Sequence, residues 1–168
     1  MAFFSFLDDS SGIASVFANN KVRARPMREL RKQIMRGPSP LSVGERELIA
    51  AFVSTLNQCE FCAGGHTALA ARTVDVRVLD ELIANIDTAA ISDRLKPIFR
   101  LVKKLTEAPS RIVRADVESI FAAGWEETAV EDAIAVCSLF NMLNRIANGY
   151  GLRSAGGWWQ SGRSGASS

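Results

Sequence analysis

The sequence predicts a single all-α domain of about seven to eight helices. Three observations point there. Strand signals are nearly absent, apolar residues recur at helical spacing from one end to the other, and residues that start or stop helices fall between those stretches. The length of 168 residues fits one domain. A domain of this size buries roughly 68–70% of its unfolded surface, so it needs no disulfide staples.

The elements follow in order. A first amphipathic piece covers about Ser11 to Asn19, with Ile13, Val16 and Phe17 at helical spacing. A second begins near Pro26, a favourable first-turn residue, and runs through Leu30 and Ile34 to Met35. Gly37-Pro38-Ser39-Pro40 then breaks the chain. Ser42 and Glu45 have the spacing of a capping box, which opens a helix running to about Asn57 that buries Leu48, Ile49, Phe52 and Leu56. A further helix follows from near Cys59 to Ala71.

Asp75 is placed to cap a short helix whose candidate buried positions are Val76, Val78, Leu79, Leu82 and Ile83. Ser92 or Asp93 starts another, carrying Leu95, Ile98, Phe99, Leu101, Val102 and Leu105, with Pro97 early enough to be tolerated. Arg114 to Ala123 reads as a short helix ended by Gly124. A long helix covers about Glu126 to Asn148, with Gly149 as its stop signal. The domain is expected over 1–155. A tail over 156–168 carries Trp158 and Trp159, which are suited to packing back on the body or on a neighbouring subunit, and ends in a frayed polar stretch.

Composition excludes several classes. Twenty basic and eighteen acidic residues leave a net charge of +2, without the footprint of a dedicated nucleic-acid binder. Three cysteines are too few, and of the wrong parity, for a secreted disulfide scaffold. Met1 to Leu7 is apolar but has no basic residue before it and meets Asp8 and Asp9 at once, unlike a secretory signal. No apolar run approaches the ~18 residues of a membrane span. The expected location is cytoplasmic, where paired cysteines are more often catalytic or metal-binding than structural.

The chemistry concentrates in one segment. The only histidine, His66, follows Cys62 by four residues, and Cys62 follows Cys59 by three. On a helix these positions share an arc of about 60°. Cys59 falls at the helix start, where unpaired amides and the aligned peptide dipoles stabilise a thiolate. A thiolate, a second thiol and a base one turn along are the parts of two-electron redox chemistry. A carboxylate would orient the imidazole. Glu45 is occupied in the capping box, so Glu47 is the better candidate.

Glu47, eleven residues, then Cys59-Glu60-Phe61-Cys62-Ala63-Gly64-Gly65-His66 resembles the E-x11-C-x-x-C-x3-H signature of alkyl hydroperoxidase D-like (AhpD-like) proteins. These belong to the carboxymuconolactone decarboxylase superfamily. Its peroxidase-related branch is also matched by the flanks, Gly37 to Ser42 and Leu56 to Cys62, and more weakly by Phe140 to Arg145. The resemblance runs from about residue 26 to 152. It implies an AhpD-like helical fold assembled as a symmetric homo-oligomer, a trimer or a hexamer built from trimers. It further implies that Cys62 attacks the peroxide, Cys59 resolves the sulfenic acid as a Cys59–Cys62 disulfide, His66 relays the proton and Glu47 orients or deprotonates His66. The implied reductant is a dithiol, in the best-known members a lipoyl-bearing protein, and no other cofactor is required. The best-known members carry a histidine between the cysteines where this chain has Phe61, a change that bears on the peroxide rate.

Other readings of the same residues stay open. The cysteines and His66 are three potential zinc ligands, with Glu47 or water as a fourth, which would make the chain a zinc-stabilised module. A lactone decarboxylase on the same scaffold is the other enzymatic reading. Cys137 reads as core. Asn141, Asn144 and Arg145 read as a buried or interfacial hydrogen-bond network. Arg23, Arg25, Arg28, Arg31 and Lys32 read as a solvated basic surface.

Overall fold

Ser42 and Glu45 close on each other at the start of the helix that organises the molecule. The Glu45 amide donates to the Ser42 hydroxyl at 3.2 Å, and the Ser42 amide donates to the Glu45 carboxylate at 2.6 Å. The computed structural model describes residues 2–75 and 77–153. Its helices are α1 Ile13–Ala18, α2 Lys21–Arg36, α3 Val43–Leu56, α4 Glu60–Ala70, α5 Arg77–Ala84, α6 Lys96–Glu107, α7 Arg114–Ala122 and α8 Glu127–Gly149. A 3-10 turn, Pro109–Arg111, joins α6 to α7. No strand occurs among the described residues, as the periodicity predicts. None of the described helices is long and apolar enough to cross a membrane.

The helix α3 is the hub. Leu48, Ile49, Ala50, Ala51, Phe52 and Val53 are consecutive and all buried. A helix apolar on every side must be surrounded, and α3 packs on α2, α4, α5, α6 and α8. Phe52 meets the edge of Phe99 from α6 at 5.2 Å between ring centres, while Ala50 and Ala51 let neighbouring backbones approach. Truncating Phe52 to alanine would cost about 3–5 kcal/mol on the usual scale for a buried aromatic.

The turn between α3 and α4 sets the site. The Gln58 amide donates to the Thr55 carbonyl at 3.0 Å, and the Cys59 amide to the Ser54 carbonyl at 2.8 Å. That is a Schellman ending, with Gln58 in the left-handed region at φ 54° where glycine is usual. It folds α4 back along α3 and leaves Cys59 as the cap residue of α4.

Several boundaries differ from the sequence reading. The second helix begins at Lys21, because Asn20 accepts the Arg23 amide and caps it there. Pro26 therefore lies inside α2, on its exposed side. The α6 helix starts at Lys96, after Ser92 and Asp93, and Asp93 instead pairs with Lys96 at 2.7 Å. Gly149 is the last residue of α8, and the positive φ of 68° falls at Gly151. Leu56, Ile83 and Leu105 are half-buried at the core's edge. Val76, Trp158 and Trp159 and the polar stretch 161–168 lie outside the described residues.

Candidate functional site

The four residues singled out from the sequence converge at the α3–α4 hairpin. Cys59 caps α4 and is fully buried, Cys62 lies one turn in at 7% exposure, and His66 one turn further at 9%. Glu47, on the second turn of α3, is 1% exposed. One of its oxygens, Oε2, lies 2.5 Å from His66 Nδ1, and the other accepts from the Arg36 guanidinium at 2.5 Å. Burial by itself would raise the Glu47 carboxyl. The hydrogen bond and charge of His66, followed by those of Arg36, outweigh it and hold the group below its ordinary value. The His66 ring also packs against Phe140, edge to face, at 4.4 Å between ring centres.

Arg36 and Arg46 are the cations that the sequence reading did not assign. Arg46 is 4% exposed and donates to the carbonyls of Ile34 and Gly37 at 2.9 and 3.0 Å. It thereby fastens the end of α2 to α3 and brings Arg36 onto Glu47. No spacing rule marks Arg36, since its partner lies eleven residues away across a Gly-Pro break.

Cys59, Cys62 and Cys137 are all free thiols. The Cys62 thiol and its backbone amide both face the Cys59 sulfur. The hydrogen bond from the Cys62 thiol, outweighing burial, lowers Cys59 below the ordinary thiol range, and the Cys62 amide and the Asn144 side chain add to that effect. The same bond to Cys59, followed by burial and the neighbouring charge, holds the Cys62 proton well above that range. Both directions favour the charge on Cys59, at the helix start where the dipole argument places it.

Asn144 separates from its neighbours in the late segment. It is fully buried, donates to Ser54 Oγ at 2.9 Å, accepts from Asn57 Nδ2 at 3.0 Å, and reaches both site sulfurs. Asn141 and Arg145 stay one layer away. Asn141 accepts from Asn57 at 3.1 Å and from Arg145 at 2.8 Å, which is the hydrogen-bond network expected of them. Cys137 is core, with its sulfur 3.3 Å from Thr106 Oγ1.

A cavity of about 330 Å³ opens onto Cys62 and His66, with Phe61, Phe140 and Leu143 among its apolar walls and Arg31 at its edge. Cys59 lies behind Cys62 rather than on the wall. Among the described residues no group of three or more His, Cys, Asp or Glu side chains is arranged to hold a metal ion, so the zinc reading finds no ligand set. Chemically, the arrangement offers a pair of thiols, one of them at the cavity wall, and an imidazole backed by a buried carboxylate.

The sequence matches the carboxymuconolactone decarboxylase family over residues 24–104. No curated protein sequence matches it significantly. Several solved structures share the fold, two of them as follows. An uncharacterized peroxidase-related protein from Silicibacter sp. TM1040 is 28% identical, with a TM-score of 0.78 over 85% of this chain and 76% of that one. An alkylhydroperoxidase AhpD core, a peroxidase-related protein from Ralstonia eutropha JMP134, is 26% identical, with a TM-score of 0.74 over 82% of this chain and 73% of that one.

Proposed function

We propose that this chain, which belongs to the carboxymuconolactone decarboxylase superfamily as an alkyl hydroperoxidase D-like protein, is a cysteine peroxidase that reduces hydrogen peroxide or alkyl hydroperoxides. The observation that carries this reading is the cavity that reaches Cys62 and His66 while Cys59 waits one turn behind. Cys62, as thiolate, attacks one peroxide oxygen; an S–O bond forms, the O–O bond breaks, and the alkoxide leaves with a proton supplied through His66. The Cys59 sulfur then attacks the Cys62 sulfenic acid. An S–S bond forms, the S–O bond breaks and water departs, so the two electrons given to the peroxide come from the dithiol.

The proton that Cys62 must lose has two takers close by, the Cys59 sulfur that it already faces and the imidazole one turn along. Glu47 holds that imidazole by Nδ1, so the other ring nitrogen is the one free to exchange a proton at the cavity. An external dithiol, possessing two electrons to give, restores the Cys59/Cys62 pair and leaves as its own disulfide. A lipoyl-bearing protein fits that chemical class. A symmetric homo-oligomer, trimer or hexamer, and a cytoplasmic location complete the proposal, in keeping with the reduced thiols the cycle requires.

A free-thiol count tests it. Metal-free reduced protein given about one equivalent of organic hydroperoxide is expected to lose two of its three thiols rapidly, with the disulfide mapped to Cys59–Cys62. Retention of all three would overturn the peroxidase reading. The family's name supports one further reading, a decarboxylase. Turnover of a lactone substrate by a Cys59→Ser/Cys62→Ser double variant at the full rate would favour it.

A further inference from the structure

The reactive cavity does not end at its own walls. A second cavity of about 400 Å³ lies between α1, α2 and α8, and the two have Ile13, Arg31 and Leu143 in common. The outer chamber is apolar where Phe17, Met27 and Ala14 line it, and cationic where Arg28 and Arg31 do. Those two arginines lie three residues apart on α2, hence on one face. Among the described residues neither has an ion-pair partner. The one carboxylate on α2, Glu29, is bonded to Gln33. The helix itself carries seven basic side chains against that single acid, while the whole chain has a net charge of only +2.

From this geometry we infer the substrate class of the peroxidase proposed above: a hydroperoxide of a medium- or long-chain carboxylic acid. The hydroperoxide group sits against Cys62 with any alkyl tail beyond it among the apolar walls of the inner cavity, the chain on its other side runs past Ile13 and Leu143 into the outer chamber, and the carboxylate meets the Arg28 guanidinium with Arg31 at the waist. A guanidinium binds a carboxylate with paired, charge-assisted hydrogen bonds, and an apolar passage favours the chain by removing it from water. A neutral short-chain hydroperoxide fills only the inner cavity and leaves the Arg28 guanidinium solvated. The redox step is the one already written. The acid hydroperoxide is reduced to the corresponding hydroxy acid, the transferred oxygen leaves as water, and the dithiol pair becomes the disulfide.

The inference rests on the peroxidase reading, so its test has an arm that does not. The kcat/KM of the wild type is measured for linoleic acid hydroperoxide and for its methyl ester, and the ratio of the two is the readout. The free acid is expected to be preferred about tenfold, as for a substrate anchored by a charge-assisted bond. Arg28→Gln should bring the ratio close to one, and Arg28→Glu should reverse it. Separately, calorimetry on Cys62→Ser protein is expected to detect laurate binding that weakens with salt and is lost in Arg28→Glu. Equal turnover of acid and ester by the wild type, or a ratio unmoved by Arg28→Gln, overturns the inference while leaving the peroxidase intact. Laurate binding that depends on Arg28 without turnover of any hydroperoxide overturns the peroxidase reading and keeps the acid-chain site. Absence of both removes the site as well.

Discussion

Glu47 Oε2 and His66 Nδ1 lie 2.5 Å apart, although nineteen positions separate the two residues in the sequence. The contact exists because α3 ends in a tight Schellman turn and α4 returns along it, so that the second turn of one helix faces the second turn of the other. Arg36 closes the other side of the carboxylate. The imidazole is thus held at one nitrogen by a buried anion that is itself held by a cation.

This arrangement has an acid limit. Glu47 is held below its ordinary value, so its contribution to stability is complete above about pH 4.3, the usual glutamate value. It is lost as pH falls through the lower folded value. Glu47→Gln is expected to reduce stability by about 1–3 kcal/mol at neutral pH and to flatten the loss in acid. Urea unfolding of both proteins between about pH 7 and 3 would measure this. Parallel curves would show that the carboxylate carries no linked stability.

Asn144 is expected to tune the thiols. It is a buried amide that reaches both sulfurs and lowers both, and its other partners, Ser54 and Asn57, belong to the α3 ending. Asn144→Leu removes the donor at similar volume. The pH midpoint of iodoacetamide alkylation should move upward, and the rate at neutral pH should fall about three- to tenfold, since one pH unit is a factor of ten. Unfolding stability should drop by about 1–3 kcal/mol through the stranded Ser54 and Asn57 groups. An unchanged alkylation profile would leave Asn144 a purely structural residue.

Much of this site was legible in the sequence because it is local. Cys59, Cys62 and His66 lie on one helix, where spacing alone fixes their common face, and the Ser42–Glu45 box placed Glu47 on the preceding helix. The partners that were not legible arrive through tertiary packing. Arg36 reaches Glu47 across a chain break, and Asn144 comes from a helix some ninety residues beyond Ser54. Nothing in periodicity separates Asn144 from Asn141, which differ in function only because α8 turns one toward the sulfurs. The start of α2 escapes the sequence for a related reason: Pro26 is a strong start signal, yet the helix capped by Asn20 begins five residues earlier and carries the exposed proline within it.

The two site cysteines should fail differently. Cys62→Ser is expected to abolish hydroperoxide turnover, because the remaining sulfur lies off the cavity wall. Cys59→Ser should still consume one equivalent of hydroperoxide per chain and stop, leaving a Cys62 sulfenic acid that dimedone traps and mass spectrometry locates. Cys137, buried against α6, should keep its thiol in both variants. Full activity in both variants would exclude the dithiol couple.

The last prediction concerns the turn that makes the site. Gln58 holds φ 54°, the only positive value among the described non-glycine residues. An L-residue in that conformation costs about 1–2 kcal/mol, partly offset on replacement by the greater unfolded-state freedom of glycine. Gln58→Gly is therefore expected to stabilise the protein by about 0.5–1 kcal/mol, and Gln58→Val, with a branched Cβ, to destabilise it by about 1–2 kcal/mol. Both hydrogen bonds of the turn come from backbone groups, including the Cys59 amide on Ser54 at 2.8 Å. The glycine variant should consequently keep the wild-type thiol alkylation rate. A more stable Gln58→Gly protein with a slower-reacting thiol would mean instead that the strained turn is part of how Cys59 is held.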